Sequence, residues 1–178
     1  MRKQVLRDDS GFTLMEILIV VILLGILAMV VVPQITISSE DTKVSTLQSN
    51  LSQLRSLIQI YHAQHNEKYP GAVDDTDGSG PPADAAASAT AFVNQLTLYT
   101  DVNGKASSTD KAGHPFGPYI KGTTLPPNPF NNSSVVVIDM TETDLLSRDV
   151  TGNSASGYKF FVQTGVLVAC DSAAHAVY

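Results

Sequence analysis

Residues 12–32 read FTLMEILIVVILLGILAMVVV, and this stretch decides the architecture. As an α-helix it spans about 31 Å, against about 30 Å for the hydrocarbon core of a bilayer. From Ile17 to Val32 no side chain is polar. Only the centre of a large protein or a membrane takes a helix that is apolar on every face, and a chain of 178 residues is too short for the first. Arg2, Lys3 and Arg7 precede the run, beside Asp8 and Asp9; the residues after Gly11 hold 8 basic and 15 acidic side chains. That asymmetry keeps the leading end cytoplasmic and sends the acidic remainder outward.

A secretory signal carries a shorter apolar region followed by a small-residue cleavage site. Here the small pair Ser10-Gly11 comes before the run. Cutting between Gly11 and Phe12 would remove residues 1–11 as a leader and keep the apolar segment on the mature chain. An uncleaved signal anchor is the alternative. Glu16 is a lone carboxylate near the start of this helix. An acidic residue at mid-membrane costs about 2.5–3.5 kcal/mol on insertion scales, and less near an end. The amine exposed by cleavage before Phe12, with a reference pKa of about 7.7–8.0, is the natural partner. It can come from the same chain or from a neighbouring subunit, where the pair would fix axial register. A snorkelling, unpaired Glu16 is the plainer reading.

Gly11 followed by Phe12-Thr13-Leu14-Met15-Glu16 resembles the cleavage and methylation motif of type IV prepilins and type II secretion pseudopilins, and Gly25 and Pro33 match it as well. The resemblance implies that a prepilin peptidase/methyltransferase cuts after Gly11 and methylates Phe12. It also implies that Glu16 serves assembly and that Gly25 and Pro33 soften the helix. The physics agrees, because Gly weakens a helix interior and Pro removes a backbone donor and clashes with the preceding turn.

Working outward from this anchor, Val44, Leu47, Leu51, Leu54, Ile58, Tyr61 and His65 recur at spacings of three and four, with Ser, Gln, Asn and Arg55 between them. That stripe predicts an amphipathic helix over 34–69, ended by Lys68-Tyr69-Pro70-Gly71; a short coiled coil fits the same spacing. Residues 70–178 then form a globular domain. Asp74 to Ala87 reads as a surface loop. A short helix carries Phe92, Leu96 and Tyr99, and Asp101-Val102-Asn103-Gly104 is a turn. Strands are expected at 134–139, 158–162 and 166–170, the last two joined as a hairpin through Gln163-Thr164-Gly165. The expected fold is α+β, with a long helix packed on a small antiparallel sheet of about three strands. The resemblance adds that this is the pilin-like fold. Tyr69-Pro70, Phe116-Gly117-Pro118-Tyr119-Ile120 and Leu125-Pro126-Pro127-Asn128-Pro129 resemble passages of the major pseudopilins, with Asn128 where that family usually has Asp.

Asp75-Thr76-Asp77-Gly78 looks like the opening of a calcium loop but lacks the distal bidentate Glu, which favours a solvated turn. The major pseudopilins typically end in an acidic, glycine-rich loop that binds calcium. Here the end is Asp171-Ser172-Ala173-Ala174-His175-Ala176-Val177-Tyr178, whose one acidic side chain is Asp171. Asp75, Asp77 and Asp171 are therefore weak candidates for a Ca²⁺ site, with Asp139, Glu142, Asp144 and Asp149 as a further acidic group. His62 and His65 have the spacing of two zinc ligands but no third, and a polar-face and interface role is favoured. Cys170 alternates with Val166 and Val168 and reads as a buried small hydrophobe; as the single cysteine it excludes an internal disulfide. No phosphate loop, nucleophile elbow or zinc-protease motif is present, and a formal net charge of −6 argues against nucleic acid as a partner.

The expectation is a non-enzymatic structural subunit, single-pass in the inner membrane with its C-terminal domain in the periplasm. By resemblance it would be a homopolymer of a type II secretion pseudopilus. Its implied partners are minor pseudopilins, the prepilin peptidase, an inner-membrane platform, its ATPase and membrane lipid. A type IV pilin of a surface fibre is the alternative; many of those close a loop with two cysteines, which this chain cannot do alone.

Overall fold

The computed structural model describes residues 11–178, with the backbone alone at 29–38. The expected leader, 1–11, lies outside the described residues except for Gly11. The chain divides into two compact units, Met1–Thr42 and Lys43–Tyr178. Helix α1, Leu14–Gln64, contributes to both. In the first unit its described large apolar side chains are exposed, from 46 % at Ile19 to 84 % at Leu14.

In the second unit the predicted stripe is the core-facing side of α1. Leu47, Leu51, Leu54, Ile58 and Tyr61 are all at most 2 % exposed. Burying each side chain contributes about 1.5–3 kcal/mol, so this stripe outweighs any single cap at about 1 kcal/mol and fixes which face turns inward. The helix stops at Gln64, short of the expected end at Tyr69. Asn66 and Glu67 both adopt positive φ, 52° and 58°, and the Glu67 N–H closes onto the His62 carbonyl at 3.1 Å. Consecutive left-handed residues cannot continue a right-handed helix, so the stop precedes the Pro-Gly pair.

Tyr69-Pro70-Gly71 instead forms the turn that delivers the chain to α2, Ala85–Thr97. Gly71 has φ +82°, and a Cβ there would meet the Ser88 carbonyl at 2.9 Å. Two fully buried polar side chains of α2 hold this turn. Ser88 Oγ donates to Gly71 O at 2.8 Å, and Gln95 Oε1 accepts from Gly71 N at 2.8 Å. The Gln95 amide nitrogen donates to Val73 O at 3.1 Å and Gly104 O at 2.8 Å, so the buried amide is fully paired. Asp84 caps α2 by accepting from Ala87 N at 2.8 Å. Phe92 and Leu96 face the core as expected, but Tyr99 falls beyond the helix.

Tyr99–Thr100 (β1) and Ala106–Ser107 (β2) form a small antiparallel ribbon over the predicted turn at 101–104. Asp101 Oδ1 closes that turn by accepting from Asn103 N and Lys105 N, both at 2.9 Å. The Gly117-Pro118-Tyr119-Ile120 passage caps the end of α2, since Tyr119 N and Ile120 N both donate to Leu96 O at 2.9 Å.

The main sheet has the order β3-β4-β5, from Val136–Asp139, Tyr158–Phe161 and Val166–Ala169. All three strands were expected, but the sheet is mixed rather than antiparallel. β3 pairs with β4 in parallel, Val136 opposite Tyr158, while β4 and β5 form the antiparallel hairpin, Tyr158 opposite Ala169. Parallel pairing needs a long crossover, and residues 140–157 supply it. Alternation along β4 sends Tyr158 and Phe160 to the helices and Phe161 to a second buried cluster with Val150, Val168, Cys170 and Ala176. The crossover and the C-terminal segment thus cover the sheet's other face. Lys159 lies on that face; its Nζ donates to Asp149 O at 2.8 Å and pairs with Asp139 Oδ2 at 3.2 Å.

Candidate functional site

Gly11, Phe12 and Thr13 precede the first helical residue, Leu14. Phe12 is 80 % exposed. The helix opens with a reciprocal cap. Glu16 N donates to Thr13 Oγ1 at 3.2 Å, and a Glu16 carboxylate oxygen accepts from Thr13 N and from Thr13 Oγ1, both at 3.3 Å. Two backbone donors at the helix start are satisfied by two side chains three residues apart, as a capping box requires. Glu16 therefore has a partner inside its own chain, and that partner is Thr13. The Thr-x-x-Glu spacing was the signal for it, overshadowed by the apolar run. The carboxylate also sits at the positive end of the helix dipole.

Gly25 lies in the helix interior, where a built Cβ would meet nothing within 4 Å. The side chain of Pro33 lies outside the description, and α1 is helical on both sides of it. Among the described residues no helix is long and apolar enough to cross a membrane. The described side chains of the apolar run stop at Ala28, whereas in sequence the run continues to Val32.

The structure does not bring the candidate metal ligands together. Among the described residues no group of three or more His, Cys, Asp or Glu side chains could hold a metal ion. Asp75 accepts from Asn94 Nδ2 at 2.7 Å, and Asp77 accepts from Ser79 N at 2.8 Å in a local turn. Asp171 accepts from Asn128 Nδ2 at 2.7 Å and pairs with His175 Nδ1 at 2.5 Å. In the acidic group, Glu142 accepts from Asp144 N, Asp144 from Leu146 N and Asp149 from Thr151 N, all at 2.9 Å. Asp139 is the exception in having a cation. Burial would raise its pKa, but the Thr141 and Glu142 N–H groups, the Thr141 hydroxyl and Lys159 together hold it below the usual carboxylate range.

The two helical histidines diverge. His65 is buried, with Nδ1 2.8 Å from Tyr61 O and Nε2 2.9 Å from Thr100 Oγ1, and its ring stacks on Tyr61 at 3.7 Å. Burial pushes its pKa down, only partly offset by the Tyr61 carbonyl. His62 stacks on Tyr69 at 4.2 Å. Both serve packing. Cys170 is fully buried, its thiol directed at Asn153 O at 3.3 Å, and burial raises its pKa, which suits a core residue rather than a nucleophile.

What distinguishes the molecule is thus an apolar helix with a capped carboxylate at its head. Residues 6–32 match the family model of the prokaryotic N-terminal methylation motif. The N-terminal segment thus carries a methylation motif. The chain is similar to the type II secretion system core protein G of Pseudomonas aeruginosa, 39% identical over 64 residues, which are 36% of this chain and 44% of that protein. The proteins of the same name from Aeromonas hydrophila and Dickeya chrysanthemi are each 36% identical over 64 residues, 36% of this chain and 44% and 41% of theirs. The match thus spans less than half the length of these relatives, and it lies in the prepilin-type N-terminal region. No solved structure matches the chain.

Proposed function

We propose that this chain is a structural, non-enzymatic subunit of a type II secretion pseudopilus, a filament that grows from the inner membrane into the periplasm and drives export of folded proteins. One observation carries the reading. The apolar side chains of α1 from Leu14 to Leu27 are exposed. Each stands to gain about 1.5–3 kcal/mol from full burial, a sum that lipid or a bundle of like helices can supply.

In this reading residues 12–33 cross the membrane once and residues 70–178 lie in the periplasm. A prepilin peptidase/methyltransferase cuts after Gly11 and methylates Phe12. The Glu16 carboxylate then exchanges its Thr13 contacts for the new amine of a neighbour, setting register, while Gly25 and Pro33 let the helix adjust. Copies of the chain, minor pseudopilins, an assembly platform and its ATPase are the proposed partners. The names of the relatives favour a secretion filament over a surface pilus.

Mass spectrometry of the purified protein tests the processing, with a methylated Phe12 at the N-terminus as the expected result. Deletion of the gene tests the role: folded enzymes should accumulate in the periplasm. An N-terminus that still holds residues 1–11, or secretion that proceeds normally in the deletion strain, would overturn the reading.

A further inference from the structure

A side chain of α1, Arg55, reaches the segment from Asp171 to Tyr178. Arg55 Nε and Nη2 both donate to Leu167 O, at 3.0 and 2.7 Å, and Nη1 donates to Tyr178 O at 2.6 Å. One guanidinium thus ties β5 and residue 178 to α1. The other end of the segment is held by Asp171, whose side chain is 7% exposed. Its Oδ1 accepts from Asn128 Nδ2 at 2.7 Å and its Oδ2 from His175 Nδ1 at 2.5 Å. A carboxylate oxygen only accepts, so Nδ1 is the donor in this pair. The amide orientation of Asn128 is fixed twice more, because Nδ2 donates to Gly157 O at 3.0 Å and Oδ1 accepts from Phe130 N at 3.0 Å. The His175 ring lies 4.0 Å from that of Phe130 and 5.8 Å from that of Tyr178, and Ala176 is buried beside Val168 and Cys170.

Calcium does not fit this arrangement. It takes six to eight oxygen ligands at about 2.3–2.6 Å. Here one carboxylate is present, both its oxygens are taken by N–H donors, and the Asn128 oxygen is taken by a third. A cation beside Asp171 would face an amide N–H and an imidazole N–H. We infer that this chain fastens its C-terminal segment with a metal-free clamp, in which Asn128 and His175 hydrogen-bond and orient Asp171 and Arg55 holds residue 178. The clamp does the mechanical work that a calcium loop does in the major pseudopilins this sequence resembles. It concerns the fold of the globular part alone and is independent of the assembly reading.

Hydrogen exchange on the full-length protein in detergent tests the inference. Two buffers are compared, one with EGTA and one with Ca²⁺ at about 10 mM, above the affinities typical of extracellular calcium modules. The expected result is the same protection at residues 171–178 in both. Slower exchange of these amides with Ca²⁺, by about tenfold or more, would overturn the clamp as metal-free. In His175→Ala and Asn128→Ala, exchange of the same amides should rise by about tenfold, as loss of a hydrogen bond to a charged group implies, while β3 and β4 keep their protection. Unchanged exchange at 171–178 in both variants would overturn the roles of the two side chains.

Discussion

Gly165 turns the β4–β5 hairpin directly against the ring of Tyr69, so closely that a Cβ on Gly165 would lie 2.2 Å from the ring's Cζ. Tyr69, in the turn between α1 and α2, and the tip of the last hairpin are therefore fitted to each other with no room for a methyl group. With φ +71°, Gly165 also holds a backbone conformation that L side chains resist.

Gly165→Ala should destabilise the globular part by about 2–4 kcal/mol, combining backbone strain with overpacking. Chemical denaturation of wild type and variant measures this. Combining it with Tyr69→Leu should recover part of the loss, because the clash with the ring goes while the strain stays. Strict additivity of the two changes would count against the contact.

Gln95→Leu should cost about 2–4 kcal/mol. It strands the Gly71 N–H and the Val73 and Gly104 carbonyls in the interior, although leucine is the more apolar residue. The check is the denaturant midpoint at unchanged slope; a neutral or stabilising effect would show that these groups find other partners.

Two titrating groups give tests of acid sensitivity in different pH windows. Burial lowers the pKa of His65 below its ordinary 6.5, so the unfolded chain binds that proton more readily. This group's contribution to stability is complete above about 6.5 and falls as the pH drops through the unfolded value towards the folded one. His65→Phe keeps an aromatic ring on Tyr61 and should flatten the stability profile in that window, at the cost of the Thr100 hydrogen bond.

Asp139 is also shifted down, from 3.8, by its hydrogen bonds and Lys159 against the effect of burial. Its stabilisation is present above its unfolded value and is lost as the pH falls through the folded one. Lys159→Met should cost about 1–3 kcal/mol near neutrality by removing the buried cation from Asp139 and from the Asp149 carbonyl. The variant should also lose part of the wild-type drop in stability below about pH 4. Acid titrations of both proteins, followed by circular dichroism, decide this.

Glu16→Ala should still be exported and cleaved but should assemble poorly. Thr13→Val tests the other half of the cap. It should fray the first turn, a loss of about 1 kcal/mol, whereas Thr13→Ser should behave as wild type. Filament yield and cleavage efficiency, scored together, separate a structural cap from a role in assembly. Wild-type filaments from Glu16→Ala would remove the carboxylate from the mechanism.

Local spacing carried much of this structure into the sequence. The stripe from Leu47 to Tyr61, the glycine turn at 165 and the strand at 136–139 depend on neighbours a few residues away, and each was legible. The parallel pairing of β3 with β4 was not, because strand direction depends on the path of residues 140–157, which has no period to read. The stop at Gln64 was hidden because Asn66 and Glu67 are ordinary residues in an unusual backbone region, while Pro70 and Gly71 advertised a stop that had already happened. At the head of α1 the Thr13 partner is written as a Thr-x-x-Glu motif, masked by the apolar run that contains it. At the other end, Arg55, Asn128, Asp171 and His175 meet only after folding, across separations that no motif spans.

The empty space around Gly25 has a consequence for genetics. Among the described residues, no atom beyond the helix's own nearby backbone lies within 4 Å of where a Cβ on this glycine would sit. Filling that space with a leucine should leave the lone molecule as stable as before, or slightly more helical. Any harm would surface only among crowded copies, so a screen for folding would pass such an allele and a screen for secretion would catch it.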